Sequence, residues 1–311
     1  MGLQPSRAAK SAEATPVKVF ILAGQSNMEG QGVVDLDHPQ YYNGGKGTLN
    51  AVMRDPKKAE LFRHVKDSDG KWVVRDDVFV RFRTSDELKT GGLSIGFAGY
   101  PGKHHIGPEF QFGHVVGAAS NEPVLLIKTA WGGKSLHADF RPPSSGGNTG
   151  PFYTQMIAEV REGLAAVDTD FPQLAGRKPE LAGFVWFQGW NDMFNEDARA
   201  EYEQNLVNLI KDVRTEFNSP QLPVVIGELG NGGPEANAAM QAIRDAQRAA
   251  AERDEFRGTV LFVPTSQFAR PKEDSPNTGH GHHWFGNAES YFLIGDALGN
   301  SMLKLLEDHS G

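Results

Sequence analysis

The stretch "VFILAGQSNMEGQG", residues 19–32, decides how the rest of the chain is read. Its first half is an unbroken apolar run, the pattern of a strand buried on both faces rather than one. It stops abruptly at Gly24-Gln25-Ser26-Asn27-Met28-Glu29. Ser26 to Glu29 fits the S-x-x-E capping box, in which the Ser and Glu side chains satisfy the first N–H groups of a helix. Gly30 and Gly32 follow at once, and each opposes helix by about 1 kcal/mol. The better reading is a strand end that delivers a hydroxyl to one edge of a sheet, with any capping as an accompaniment.

Four further runs have the same apolar character: "PVLLIKTA" (123–130), "LAGFVWF" (181–187), "LPVVIGE" (222–228) and "GTVLFVP" (258–264). Helical spacing of apolar residues follows in "FYTQMIAEVREGLAAV", "AEYEQNLVNLIKDVRTEF", "AAMQAIRDAQRAAAER" and "ESYFLIGDALGNSMLKLLE". Alternation of this kind predicts an α/β fold, a parallel sheet with helices on both faces. Residues 33–107 break the rhythm, with "WVVRDDVFVRF" (72–82) as their strand pair. They have too few apolar residues for a core of their own, so they read as a long insertion after the first strand, lying over one end of the sheet. Residues 1–16 read as a disordered leader, and 17–311 as a single domain.

Composition narrows the function. The chain has 311 residues, 39% of them hydrophobic, a formal charge of -8 and no cysteine. Thiol nucleophiles, thiolate metal sites and disulfide scaffolds are excluded, and neither nucleic acid nor membrane is an expected partner. Absence of cysteine suits oxidising and reducing compartments alike.

The first four of these strands each end in a polar, glycine-containing turn: "GQSNMEG", "WGGKSLHADF", "QGWND" and "LGNGG". In open parallel sheets these ends converge on one crevice, where ligands bind. A serine there needs a base to take its proton. His280, His282 and His283 stand just before the last helix and are the candidates. Three close histidines also fit a metal, but they lack the spacing of H-E-x-x-H, and the nearest carboxylates are Glu273, Asp274 and Glu289. No metal and no cofactor are expected. His104 and His105 lie in the insertion and read as solvated loop residues that could line the pocket. Acyl transfer further needs hydrogen-bond donors for an oxyanion: Gly132 and Gly133 allow close backbone approach, and Gln188 and Asn191 offer side-chain amides.

These blocks resemble the signatures of the SGNH hydrolase superfamily, in its sialate O-acetylesterase and acetylxylan esterase branch (carbohydrate esterase family 6). "GQSNMEG", "AWGGKSL" and "FQGWND" carry the likeness, which spans about residues 17–306. It implies a three-layer α/β/α sandwich, flavodoxin-like, and a serine esterase that removes acetyl groups from carbohydrates. By position it implies Ser26 as nucleophile and His283 as base. The oxyanion donors would be the Ser26 N–H, the Gly132-Gly133 pair and Asn191, with Gln188 beside them. The sequence departs from the family twice. The family's aspartate, three residues before the histidine, is here His280, so the acid orienting His283 is unidentified, with Asp274 merely nearby. Trp190 stands where the branch commonly has Glu.

The expected substrate is an acetylated carbohydrate such as xylan, a related glycan or sialic acid. Trp131, Trp190 and Trp284 flank the turns and would stack on sugar rings unless they belong to the core. Two rivals remain: a non-catalytic carbohydrate-binding protein on the same fold, favoured by the missing aspartate, and an esterase or thioesterase acting on lipids. An enzyme that degrades polymers would be secreted or periplasmic, an expectation resting on function alone. Oligomeric state is open.

Overall fold

In the computed structural model, residues 15–308 are described. The expected leader, 1–16, lies outside them apart from its last two residues. Strands β1 (Val17–Gly24), β2 (Val78–Arg83), β3 (Leu88–Gly92), β4 (Val124–Ala130), β5 (Pro179–Phe187), β6 (Val224–Gly227) and β7 (Val260–Val263) form one sheet. Its order is β3-β2-β4-β1-β5-β6-β7, with β3 antiparallel to β2 and every other pairing parallel.

β1 lies at the centre, Gly24 opposite Ala130 on one side and Phe187 on the other. Its side chains alternate between two cores. Val19, Ile21 and Ala23 join helices α2 (Pro151–Ala165), α3 (Glu196–Glu216) and α4 (Ala238–Ala251). Phe20 and Leu22 join α1 (Glu109–Ala119) and α5 (Ala288–Asp308). Burial on both faces is what the unbroken apolar run required. The sandwich therefore has three layers.

The insertion departs from expectation in two ways. Its segment 78–92 extends the main sheet instead of lying over an end. Trp72 makes only an isolated bridge to Lys66, and the hairpin partner of β2 is β3, whose Lys-Thr-Gly-Gly composition carries little strand signal. Elsewhere the insertion's Val34, Leu49, Val52, Phe62 and Val65 pack on Phe110, Ala288 and Phe292, sharing a third cluster with α1 and α5.

Helix α1, "EFQFGHVVGAA", is absent from the sequence reading because it has almost no polar face and carries two glycines. Those glycines serve packing. A Cβ on Gly117 would strike Val78, while on α5 a Cβ at Gly295 would strike the Pro108 carbonyl. Close crossing offsets the helix cost of glycine.

Candidate active site

The carboxyl ends of β4, β1, β5 and β6, four neighbours in the sheet, carry the turns "WGG", "GQSNM", "QGWND" and "LGNGG". At Gly24 any side chain would collide with the Phe187 carbonyl, so the chain can turn here only as glycine. A short helical turn, Ser26–Glu29, follows. Its N-cap is Gln25, with no side-chain cap bond, so the capping box does not form. Ser26 occupies the first helical position, where backbone N–H groups have no intrahelical acceptor.

Ser26 is 7% exposed, and its Oγ lies 3.0 Å from His283 Nε2. The residues 257 positions apart meet because β1 ends where the loop Gly281–Gly286 returns before α5. Burial, then the neighbouring His282 and His280, push the His283 pKa down to about 4. The ring is neutral at neutral pH and can accept a proton. His283 Nδ1 is buried and has no hydrogen-bond partner among the described residues. Asp274 is exposed, and its contact with the loop is a backbone one, Asn287 Nδ2 donating to its carbonyl at 3.3 Å.

The other expected residues divide. Asn191 Oδ1 accepts from Gln25 Nε2 at 3.0 Å, and Gln25 Oε1 accepts from the Gly189 N–H. That pairing directs the Asn191 Nδ2 group away from Gln25. Gln188, expected among the oxyanion donors, lies beneath the site instead. Its Nε2 donates to the Lys134 carbonyl at 2.9 Å and to Asp192 Oδ2 at 2.6 Å, and its Oε1 accepts from the Tyr202 hydroxyl. Gly132 borders Ser26: a Cβ there would sit 3.7 Å from Ser26 Cβ and 3.2 Å from Glu29 Oε2. Its N–H faces the Glu29 carboxyl, whose pKa burial raises against that hydrogen bond and the Lys128 charge. Gly133 has φ of 72° and nothing near its Cβ position, so it shapes the turn.

Of the tryptophans, Trp284 is 2% exposed and belongs to the core. Trp131 is partly buried against Phe140 and Phe152. Trp190 lies 5.8 Å from the His282 ring on one side and 5.8 Å from Phe194 on the other, and Phe194 is 68% exposed. His104 pairs with Asp35 at 2.7 Å, while His105 packs on Tyr100 and is held down to about 4 by burial. His105 is thus less solvated than its loop position implied. Among the described residues no cluster of three His, Cys, Asp or Glu could hold a metal ion, and no helix is long and apolar enough to cross a membrane.

Two supporting groups escaped the sequence reading. Asp192, fully buried, accepts the N–H groups of Leu136 and His137 as well as Gln188, tying "QGWND" to the glycine loop. Lys128, buried within β4, donates to Glu109 at 2.7 Å, the Phe97 carbonyl at 2.6 Å and the Glu29 carbonyl at 2.8 Å. One ammonium thereby pins the serine turn to the insertion and α1. A lysine inside an apolar strand was the available signal.

Comparisons with known proteins agree with this fold. A probable carbohydrate esterase of Arabidopsis thaliana, At4g34215, is 23% identical over 221 residues, 70% of this chain and 71% of its own. Its solved structure superposes with a TM-score of 0.58 at 17% identity, over 93% of this chain and 98% of that one. NanS gives 0.53 at 15% identity, covering 93% and 98%. XAC1771, a carbohydrate acetylesterase from Xanthomonas citri, gives 0.53 at 16%, covering 91% of this chain and 55% of its own. The family model for carbohydrate esterase, sialic acid-specific acetylesterase, matches residues 16–304, and the chain belongs to that family.

Proposed function

We propose that the protein is a serine O-acetylesterase acting on acetylated carbohydrate. The observation that carries this reading is the 3.0 Å contact of Ser26 Oγ with a half-buried, neutral His283 at the ligand edge of the sheet. Ser26 Oγ attacks the acetyl carbonyl carbon while His283 Nε2 takes its proton. The Ser26 N–H and Asn191 Nδ2 receive the oxyanion, and the Gly132 N–H is a third donor that substrate must win from Glu29. Collapse of the tetrahedral intermediate expels the sugar oxygen, which takes the proton from His283. His283 then deprotonates water, which attacks the acetyl-serine, releases acetate and restores Ser26. The chemistry calls on no cofactor. Gln188 serves this site by positioning. The half-buried Trp190 and exposed Phe194 offer a stacking surface for a sugar ring beside the histidines.

The contact between Ser26 and His283 favours catalysis over the binding-protein alternative. The test is acetate release from acetylated xylan, pectin and sialic acid, and from p-nitrophenyl acetate. Ser26→Ala is expected to lose roughly 10⁴-fold or more in kcat with its thermal transition unchanged. His283→Ala should fall comparably, and retained activity there would move the base to His280 or His282. Trp190→Ala should raise KM for the polymers and leave the small ester unaffected. Absence of hydrolysis with glycan binding intact would establish the binding protein. A preference for long acyl chains over acetyl would establish the lipid esterase.

A further inference from the structure

Among the described residues no carboxylate meets His283 Nδ1, yet its ring is held against Ser26. The restraint acts instead on the peptide that precedes it. The His282 carbonyl accepts two side-chain amides: Asn27 Nδ2 at 3.1 Å, from the residue after the nucleophile, and Asn231 Nδ2 at 2.9 Å, from the turn after β6. Asn231 Nδ2 also reaches the Gly281 carbonyl at 3.3 Å. Asn27 is fixed in turn through its side chain and Asn231 through its backbone, while Asn231 Oδ1 has no partner among the described residues. The buried Tyr291 hydroxyl, on α5, donates to Asn27 Oδ1 at 2.6 Å and lies 3.3 Å from the His283 carbonyl. Arg244 Nη2 donates to the Asn231 carbonyl at 3.0 Å, and Asn231 is 1% exposed.

The loop needs this restraint. Trp284 and Phe285, immediately after the histidine, both have φ of 53°, a left-handed conformation that is strained for side-chain-bearing residues. Such strain persists only where the surroundings over-determine it. On one flank Trp284 packs so closely on Gly230 that a Cβ there would strike its ring. On the other flank stand the two asparagines.

We propose that Asn27 and Asn231 are positioning residues that orient His283 through the His282 carbonyl, the task a triad carboxylate performs through Nδ1. Fixing that peptide plane fixes the direction in which the His283 side chain leaves the backbone, and so the reach of Nε2 to Ser26. Tyr291 acts one step further out, by holding Asn27. The device supplies orientation without a negative charge beside the imidazolium. Among the described residues the titratable neighbours acting on the ring are His282 and His280, with no carboxylate. This inference rests on the reading of His283 as the base.

The test uses the full chain with p-nitrophenyl acetate, comparing wild type with Asn27→Ala, Asn231→Ala, the double variant and Tyr291→Phe. Loosening the ring by about an ångström should cost each asparagine variant roughly 10²-fold in kcat with KM little changed. The double variant should lose far less than the product of the two, because both amides act on one carbonyl. Tyr291→Phe, nearly isosteric, should move kcat in the same direction by a smaller factor. An NMR titration of the His283 ring without substrate provides a second readout. Its pKa should climb from about 4 in wild type toward the ordinary histidine value of roughly 6.5 in the variants as the freed ring meets water. Normal kcat and an unmoved ring pKa in the single variants and in Tyr291→Phe would overturn the proposal. So would losses that vanish once each variant is assayed well below its own unfolding temperature. Inactive wild type would refute the functional reading, while the titration would still report whether the asparagines hold the ring.

Discussion

Ser26 stands two residues beyond a strand paired on both sides, while His283 stands in a single loop with two left-handed residues behind it. The serine turn takes its direction from β1, from Gly24 against the Phe187 carbonyl, and from the Lys128 ammonium beneath it. The histidine loop takes its direction from side-chain amides on two other turns and a tyrosine on α5. Backbone register and a buried ion pair hold one partner, and a few neutral hydrogen bonds hold the other. The first kind of restraint is costly to break and is shared with folding. The second is small in energy and large in consequence for geometry, so the two regions should respond differently to substitution.

The largest effect is expected on the serine side. Lys128→Met leaves Glu109 buried and unpaired and removes donors from the Phe97 and Glu29 carbonyls, so unfolding in denaturant should show a loss of about 3–5 kcal/mol. A loss below about 1 kcal/mol would mean that the ion pair is not what anchors that turn, and the contrast with the histidine loop would collapse.

Asn191→Ala sharpens the comparison from between the two regions. Removing this proposed oxyanion donor should lower kcat by roughly 10²–10³-fold with KM and stability nearly unchanged. An increase in KM alone would make Asn191 a substrate contact and leave the oxyanion to the Ser26 and Gly132 N–H groups.

Acid should act through three shielded histidines, His283 in the loop, His105 in the insertion and His114 on α1. His283 and His105 are pushed down to about 4 and His114 to about 3, in each case chiefly by burial. An unfolded histidine titrates near 6.5, so between that value and the folded values the unfolded chain binds more protons. Stability is therefore full above roughly pH 6.5 and declines as pH falls toward 4 and then 3, which thermal melts across that range would record. The acid limb of kcat/KM should lie near pH 4, where His283 gains its proton. A limb near 6.5 would show the ring already solvated in the free enzyme.

Much of this was legible in the chain. The five apolar runs each became a strand, because a strand buried on both faces leaves an unbroken hydrophobic signature. The four polar turns were expected at one edge and lie there, since parallel connection forces strand ends together. Strand β3 and helix α1 left weaker traces, one through glycine content and the other through lack of a polar face. Gln188 and Trp284 could not be allotted from sequence, because a side chain at a strand end or in a loop can turn toward the pocket or away from it. Packing with Tyr202 and Asp192 turned Gln188 inward, and the β6 turn enclosed Trp284.

By itself the sequence determined the class of fold, the edge at which chemistry gathers, and the serine delivered there, because each depends on local periodicity and on glycine at a strand end. The resemblance had singled out His283, which the fold brings to that serine, and only the tertiary structure decided what holds it there. That restraint joins Asn27, Asn231, His282 and Tyr291, residues on separate elements whose hydrogen bonds exist only once the sheet has brought their turns together.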